Sequence, residues 1–175
     1  MPPVAQVIEP QQPESGVRAM FSLPLEIGAS VTANDVTFSP GLRPELIFAR
    51  KTSQPRWGVG PWAEVTSIDH HTVVGGGATF VVYSHSELGA SISAGVDEVW
   101  TGSGVHTQPV FSVFGGARYV QPTGTPLDGP FGVRLDVRPG TDGLPTSVTL
   151  SATLDTAMAC YGMYIIGALL SIRPH

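Results

Sequence analysis

Charge is what this chain has least of. Asp, Glu, Lys and Arg together make up 13% of its 175 residues, about half the share usual in soluble globular domains. Lys51 is the sole lysine, beside eight arginines. A free monomer stays soluble through abundant mixed charge, so this scarcity predicts a surface largely covered by neighbours, as in a subunit of an assembly. A coding bias toward arginine in a free monomer is the other origin of such a composition. Basic clusters are missing as well: the longest is the pair Arg50 and Lys51, and the net charge is −5. That excludes a phosphate-rich partner and hence nucleic acid. A single cysteine, Cys160, excludes an intrachain disulfide and reads as a small buried hydrophobe. Residues 1–12 lack the basic start and apolar block of a secretory leader. The apolar run 157–172 is too short and too glycine-broken for a membrane helix. The expectation is a soluble chain made in the cytoplasm, with no membrane partner.

No segment carries a sustained helical period, since Gly89 and Gly95 interrupt the one stretch, 86–100, where a helix is conceivable. What the chain has instead is alternation, with 21 glycines and 16 prolines as punctuation. The organising stretch is 146–172. Val148, Leu150, Ala152 and Leu154 alternate with Thr149, Ser151 and Thr153, the period of a half-buried strand with its apolar side on a core. The run after Asp155 and Thr156 reads as a strand covered on both faces. Phe131, Val133, Leu135 and Val137 alternate against Gly132, Arg134 and Asp136 in the same way. Further strands are expected at 17–27, broken at Pro24, and at 46–49, 62–68, 70–74, 78–84, 96–100, 105–114 and 118–120. Gly75 to Gly77 reads as a flexible turn, 40–44 as a loop, and 52–61 and 121–130 as long Gly/Pro loops. Eight to ten strands without a helix predict an all-β, antiparallel β-sandwich or jelly roll. One domain, residues 16–175, follows an extended proline-rich arm, residues 1–15.

Candidate chemistry is sparse. Asp69, His70 and His71, with His85 and His106, are the residue types of a divalent-metal site on an all-β frame. Adjacent residues of a strand point to opposite faces, however, so His70 and His71 do not share one ion. Ser103 lies between Gly102 and Gly104 with His106 close by, but the full nucleophile elbow and its helix are missing. Gly75 to Gly77 makes no phosphate cradle, because no lysine or helix start follows. The chain is therefore read as a non-enzyme without a cofactor. Trp57, Trp62 and Trp100, together with Tyr119, supply flat apolar faces of the kind that stack on sugar rings, which makes them the candidate glycan-binding residues.

The proline-rich arm, the charge-poor β-domain and the stretch VTFSPGLRPELIFARK, residues 36–51, resemble small virion accessory proteins of tailed phages, of the head-decoration, spike-base or fibre type. The resemblance implies a structural subunit of the virion that assembles as a trimer or larger symmetric homo-oligomer. In that reading the arm docks on a neighbouring capsid or tail protein and surface glycan is a further ligand. The alternatives are a carbohydrate-binding β-sandwich module and a cupin-like metal-dependent enzyme built on Asp69, His71, His85 or His106.

Overall fold

Ten β-segments follow one another in the computed structural model, which describes residues 16–51, 55–84, 88–120, 128–141 and 143–156. They are β1 (Val17–Ser22), β2 (Pro24–Val31), β3 (Val36–Leu42), β4 (Glu45–Arg50), β5 (Trp57–Ile68), β6 (His71–Tyr83), β7 (Leu88–Thr101), β8 (Gly104–Val120), β9 (Asp128–Arg138) and β10 (Ser147–Asp155). The expected arm, residues 1–15, and the apolar run 157–172 lie outside the described residues.

Four of the ten segments are halves of two longer strands. Val17 lies opposite Arg50, Ser22 opposite Glu45, Leu25 opposite Leu42 and Val31 opposite Val36, all in one unbroken register. The β5 partner is shared in the same way, with Ala49 opposite Gly58 and Leu42 opposite Val65. The breaks fall at Leu23 and at Arg43 with Pro44. Proline has no amide hydrogen to donate, so the ladder is interrupted there. The proline carbonyls still accept, from the Arg43 amide to Pro24 and from the Ala63 amide to Pro44, each at 3.0 Å. The prolines that suggested an edge at Pro24 and a loop at 40–44 thus sit inside long strands whose register they leave intact.

Each strand pairs antiparallel with the next, and β10 pairs back onto β2, so the sheet closes into an eight-stranded barrel. One circuit shows its geometry. From Ala19 the paired residues run Phe48, Val59, Phe80, Ile92, Val113, Leu135 and Leu150. The circuit returns to the first strand at Ala29, ten residues beyond its start. Eight strands with that stagger tilt by about 40° from the barrel axis, which leaves an interior just wide enough for side chains. The all-β, antiparallel expectation holds. The sandwich or jelly roll does not, because β10 meets β2 and no pair of separate sheets remains.

The long loops shrink as well: β5 begins at Trp57, inside the expected loop 52–61, and β9 begins at Asp128. Gly75 to Gly77 is strand interior, not a turn. Glycine is needed at Gly75 because a Cβ there would stand 1.8 Å from the Asp97 carboxylate. At Gly95 a Cβ would meet the Trp62 ring at 2.5 Å and the Gly76 carbonyl at 2.3 Å. These glycines make room in the lumen for large side chains from facing strands. Gly95→Ala is expected to destabilise the fold by about 1–3 kcal/mol through overpacking, read as a lower denaturant midpoint at unchanged slope.

Candidate functional site

The alternation that promised a core works in the opposite sense. In β10, Val148, Leu150 and Leu154 face outward, while Ser147, Thr149, Ser151, Thr153 and Asp155 face the lumen. In β9, Phe131, Val133 and Leu135 are outside, and Arg134, Asp136 and Arg138 are buried. A period of two defines two faces but does not say which is the core, and here the apolar face is the exterior. Every residue of the circuit from Ala19 to Ala29 is both apolar and exposed. Exposure reaches 67% at Phe38, 61% at Ile92 and 60% at Phe131, far beyond the scattered single hydrophobes of an ordinary surface.

This apolar surface is a belt. On β5 the outward residues from Trp57 to Val65 are all apolar, as are those from Val82 to Val74 on β6 and from Leu88 to Val96 on β7. At about 3.3 Å per residue and a tilt of about 40°, with the strands staggered, the belt is about 25 Å tall. Its limits are marked by polar outward residues: Arg50 and Ser84 at one end, and Ser67, Thr72 and Glu98 at the other. Outward aromatics gather near the first limit, where Phe21, Phe48, Trp57, Phe80 and Phe131 lie, and Trp100 stands near the second.

Inside, four arginines and five carboxylates form one connected network. Glu45 is approached by Arg43 at 3.5 Å, Arg118 at 2.5 Å and Arg134 at 3.1 Å. Glu64 accepts from Arg43 at 3.2 Å and from Arg138 at 2.5 Å. Arg138 also reaches Asp97 at 2.5 Å, Arg134 reaches Glu26 at 2.6 Å, and Arg43 lies 3.7 Å from Asp136. The guanidinium of Arg43 lies 3.8 Å from the centre of the Trp62 ring, and those of Arg118 and Arg134 lie 5.3 and 5.7 Å from that of Phe114. Cation–π contact thus adds to the ion pairs. Hydroxyls continue the polar lining, as in Ser93 donating to Thr79 and Thr149 donating to Ser30. Small apolar clusters lie toward the two ends: Met20, Ile47, Ala49, Val81 and Tyr83 at one, and Ile68, Val73 and Val99 with Leu144 at the other. The lumen is therefore filled. Buried ions are costly unless paired, and here each arginine has at least one carboxylate partner.

The three tryptophans do not come together. Trp57 is outside and stacked on Phe80, with ring centroids 6.4 Å apart. Trp100 is outside at the other end of the barrel, opposite Thr72 and Val105. Trp62 is inside, its Nε1 donating to the Ala78 carbonyl at 3.1 Å. The side chain of Tyr119 lies outside the described set, as does His85. Asp69, His71 and His106 do converge, around a cavity at the end of the barrel that carries the short β5–β6 and β7–β8 turns, its turn end. His70 is exposed in the β5–β6 turn with a φ of 64° and is not among the residues lining the cavity. Among the described residues no group of three or more His, Cys, Asp or Glu is placed to hold a metal. Ser103 Oγ lies 3.4 Å from His106 Nε2, in a β7–β8 turn tied by Thr101.

The charged network matches no sequence motif. A signal for it was present: Arg134, Asp136 and Arg138 repeat every second residue, as Arg43 and Glu45 do, in a chain with very few charges. Comparison of the chain with protein-family models, with curated proteins and with solved structures finds no match in any of the three. No helix among the described residues is long and apolar enough to cross a membrane.

Proposed function

We propose that this protein is an integral membrane β-barrel, spanning a lipid bilayer with eight strands and sealed through its middle. The observation that carries this reading is the circuit from Ala19 to Ala29, one full turn of the exterior without a polar side chain. Strands cross a bilayer only when every backbone hydrogen bond is made within a closed sheet, and this sheet closes. A membrane barrel shows lipid an apolar band about 25 Å tall with aromatic residues at its borders, and keeps polar residues inside. The belt and the buried network fit that description.

Filled by ion pairs, the barrel offers solutes no open path. Its role is that of a membrane-anchored scaffold whose two ends face water. Vesicles loaded with a small dye and carrying the refolded chain are expected to retain the dye as protein-free vesicles do; rapid leakage would contradict the sealed lumen.

The scarcity of charge that pointed to a virion subunit also suits a belt covered by copies of the chain. Lipid is favoured because the apolar surface runs round all eight strands, whereas symmetric neighbours cover sectors and leave others in water. The test is solution behaviour. The chain should refold as a monomer in detergent micelles or lipid vesicles, resist alkaline extraction from vesicles, and precipitate when amphiphile is withdrawn. A monodisperse, lipid-free oligomer in plain buffer would overturn the membrane reading in favour of the assembly.

A further inference from the structure

The turn end of the barrel holds a cavity of about 430 Å³, within the range of small-molecule sites. Its floor is the apolar cluster of Ile68, Val73, Val99 and Leu144. Its walls include Gln108 and Ser147, which are 4% and 3% exposed. The Gln108 Oε1 and the Ser147 Oγ are both buried without a hydrogen-bond partner among the described residues. A buried oxygen left bare is costly, and native structures rarely tolerate it without a reason. Both residues line the cavity, the Gln108 amide oxygen as an acceptor and the Ser147 hydroxyl as a group that can accept or donate.

From this we infer that the cavity is a binding site for a small apolar molecule carrying a hydrogen-bond-donating head, a hydroxyl or an amino group. The apolar body packs on Ile68, Val73, Val99 and Leu144, and the head donates to Gln108 Oε1 and Ser147 Oγ. Anions are disfavoured. Among the described residues no lysine or arginine lines the cavity, and the Asp69 carboxylate stands at its rim beside His71 and His106. The site lies above the ion-pair network and does not depend on whether lipid or protein covers the belt.

The experiment uses the full-length chain in the medium that keeps it folded, with fluorine NMR of four probes: 4-fluorobenzyl alcohol, 4-fluorobenzylamine, 4-fluorotoluene and 4-fluorobenzoate. The alcohol or the amine should bind saturably and more tightly than the headless toluene, with the benzoate weakest. Gln108→Leu should weaken the donor-bearing probe about tenfold while leaving the toluene as tight or tighter, because only the head loses its partner. Ser147→Ala is the second variant, with the same change of selectivity expected in smaller measure, and it keeps the test open should Gln108→Leu not fold. Three outcomes would overturn the inference: no saturable binding of any probe, preference for the benzoate, or unchanged selectivity between alcohol and toluene in the folded variants.

Discussion

Replacing Val113 with arginine is expected to lower the stability of the barrel in lipid vesicles by about 2–4 kcal/mol, the cost of a cation on the lipid face at mid-depth. Val113 is 55% exposed and stands midway along β8, on the apolar circuit. The same substitution at Thr107, on the same face but beyond the belt, should cost no more than about 1 kcal/mol, because the charge there reaches the interface. In plain water the order would differ. Neither position is packed against the interior, and an exposed arginine changes the stability of a soluble protein by about 0.5 kcal/mol or less. Urea-dependent folding into vesicles, followed for both variants, reads the contrast directly.

A second large effect is expected inside. Glu45 is fully buried among Arg43, Arg118 and Arg134. Glu45→Leu leaves those cations short of their shared counter-charge and should destabilise the fold by about 3–5 kcal/mol. Arg134→Leu alone should be costly as well, since it strips a partner from Glu26 and Glu45 together. Combining the two should cost clearly less than their sum, because the second change removes a charge the first left uncompensated. Strict additivity in a double-mutant cycle would show that the two side chains do not share a network.

Much of the strand pattern was legible in the residues. The alternation of β9 and β10 follows from period alone, whereas the turn at Asp69 and His70 falls where the pattern reads as continuing strand, and the expected turn at Gly75 to Gly77 is strand interior. Four things were not. The direction of the pattern is invisible to periodicity: Val148 and Thr149 alternate equally well whether the apolar side faces a core or the exterior. The prolines misled because their cost in a ladder is local; Pro24 and Pro44 each remove one donor without shifting the register. The glycines misled because Gly75 and Gly95 serve as gaps for Asp97 and Trp62, side chains from other strands. Barrel closure rests on the pairing of β10 with β2, a contact between the two ends of the described chain that no local signal carries.

The same holds for the site. Trp57, Trp62 and Trp100 stand out as residue types, but the barrel distributes them to two ends of the outside and to the lumen. Asp69, His71 and His106 were visible as chemistry-bearing residues and do meet, at the rim of a cavity. Their neighbours Gln108 and Ser147 drew no notice, because an unpartnered oxygen becomes visible only once the fold is known.

Lipid contact is the central claim, and quenching by bromine atoms placed midway along the acyl chains tests it most directly. The first variant carries Trp57→Phe and Trp100→Phe, leaving the lumenal Trp62; the second adds Ile92→Trp at the waist of the belt. In brominated vesicles the first should keep its fluorescence, and the second should lose most of what the new tryptophan contributes. Absence of quenching for Ile92→Trp in the folded, vesicle-bound protein would contradict the membrane-spanning barrel.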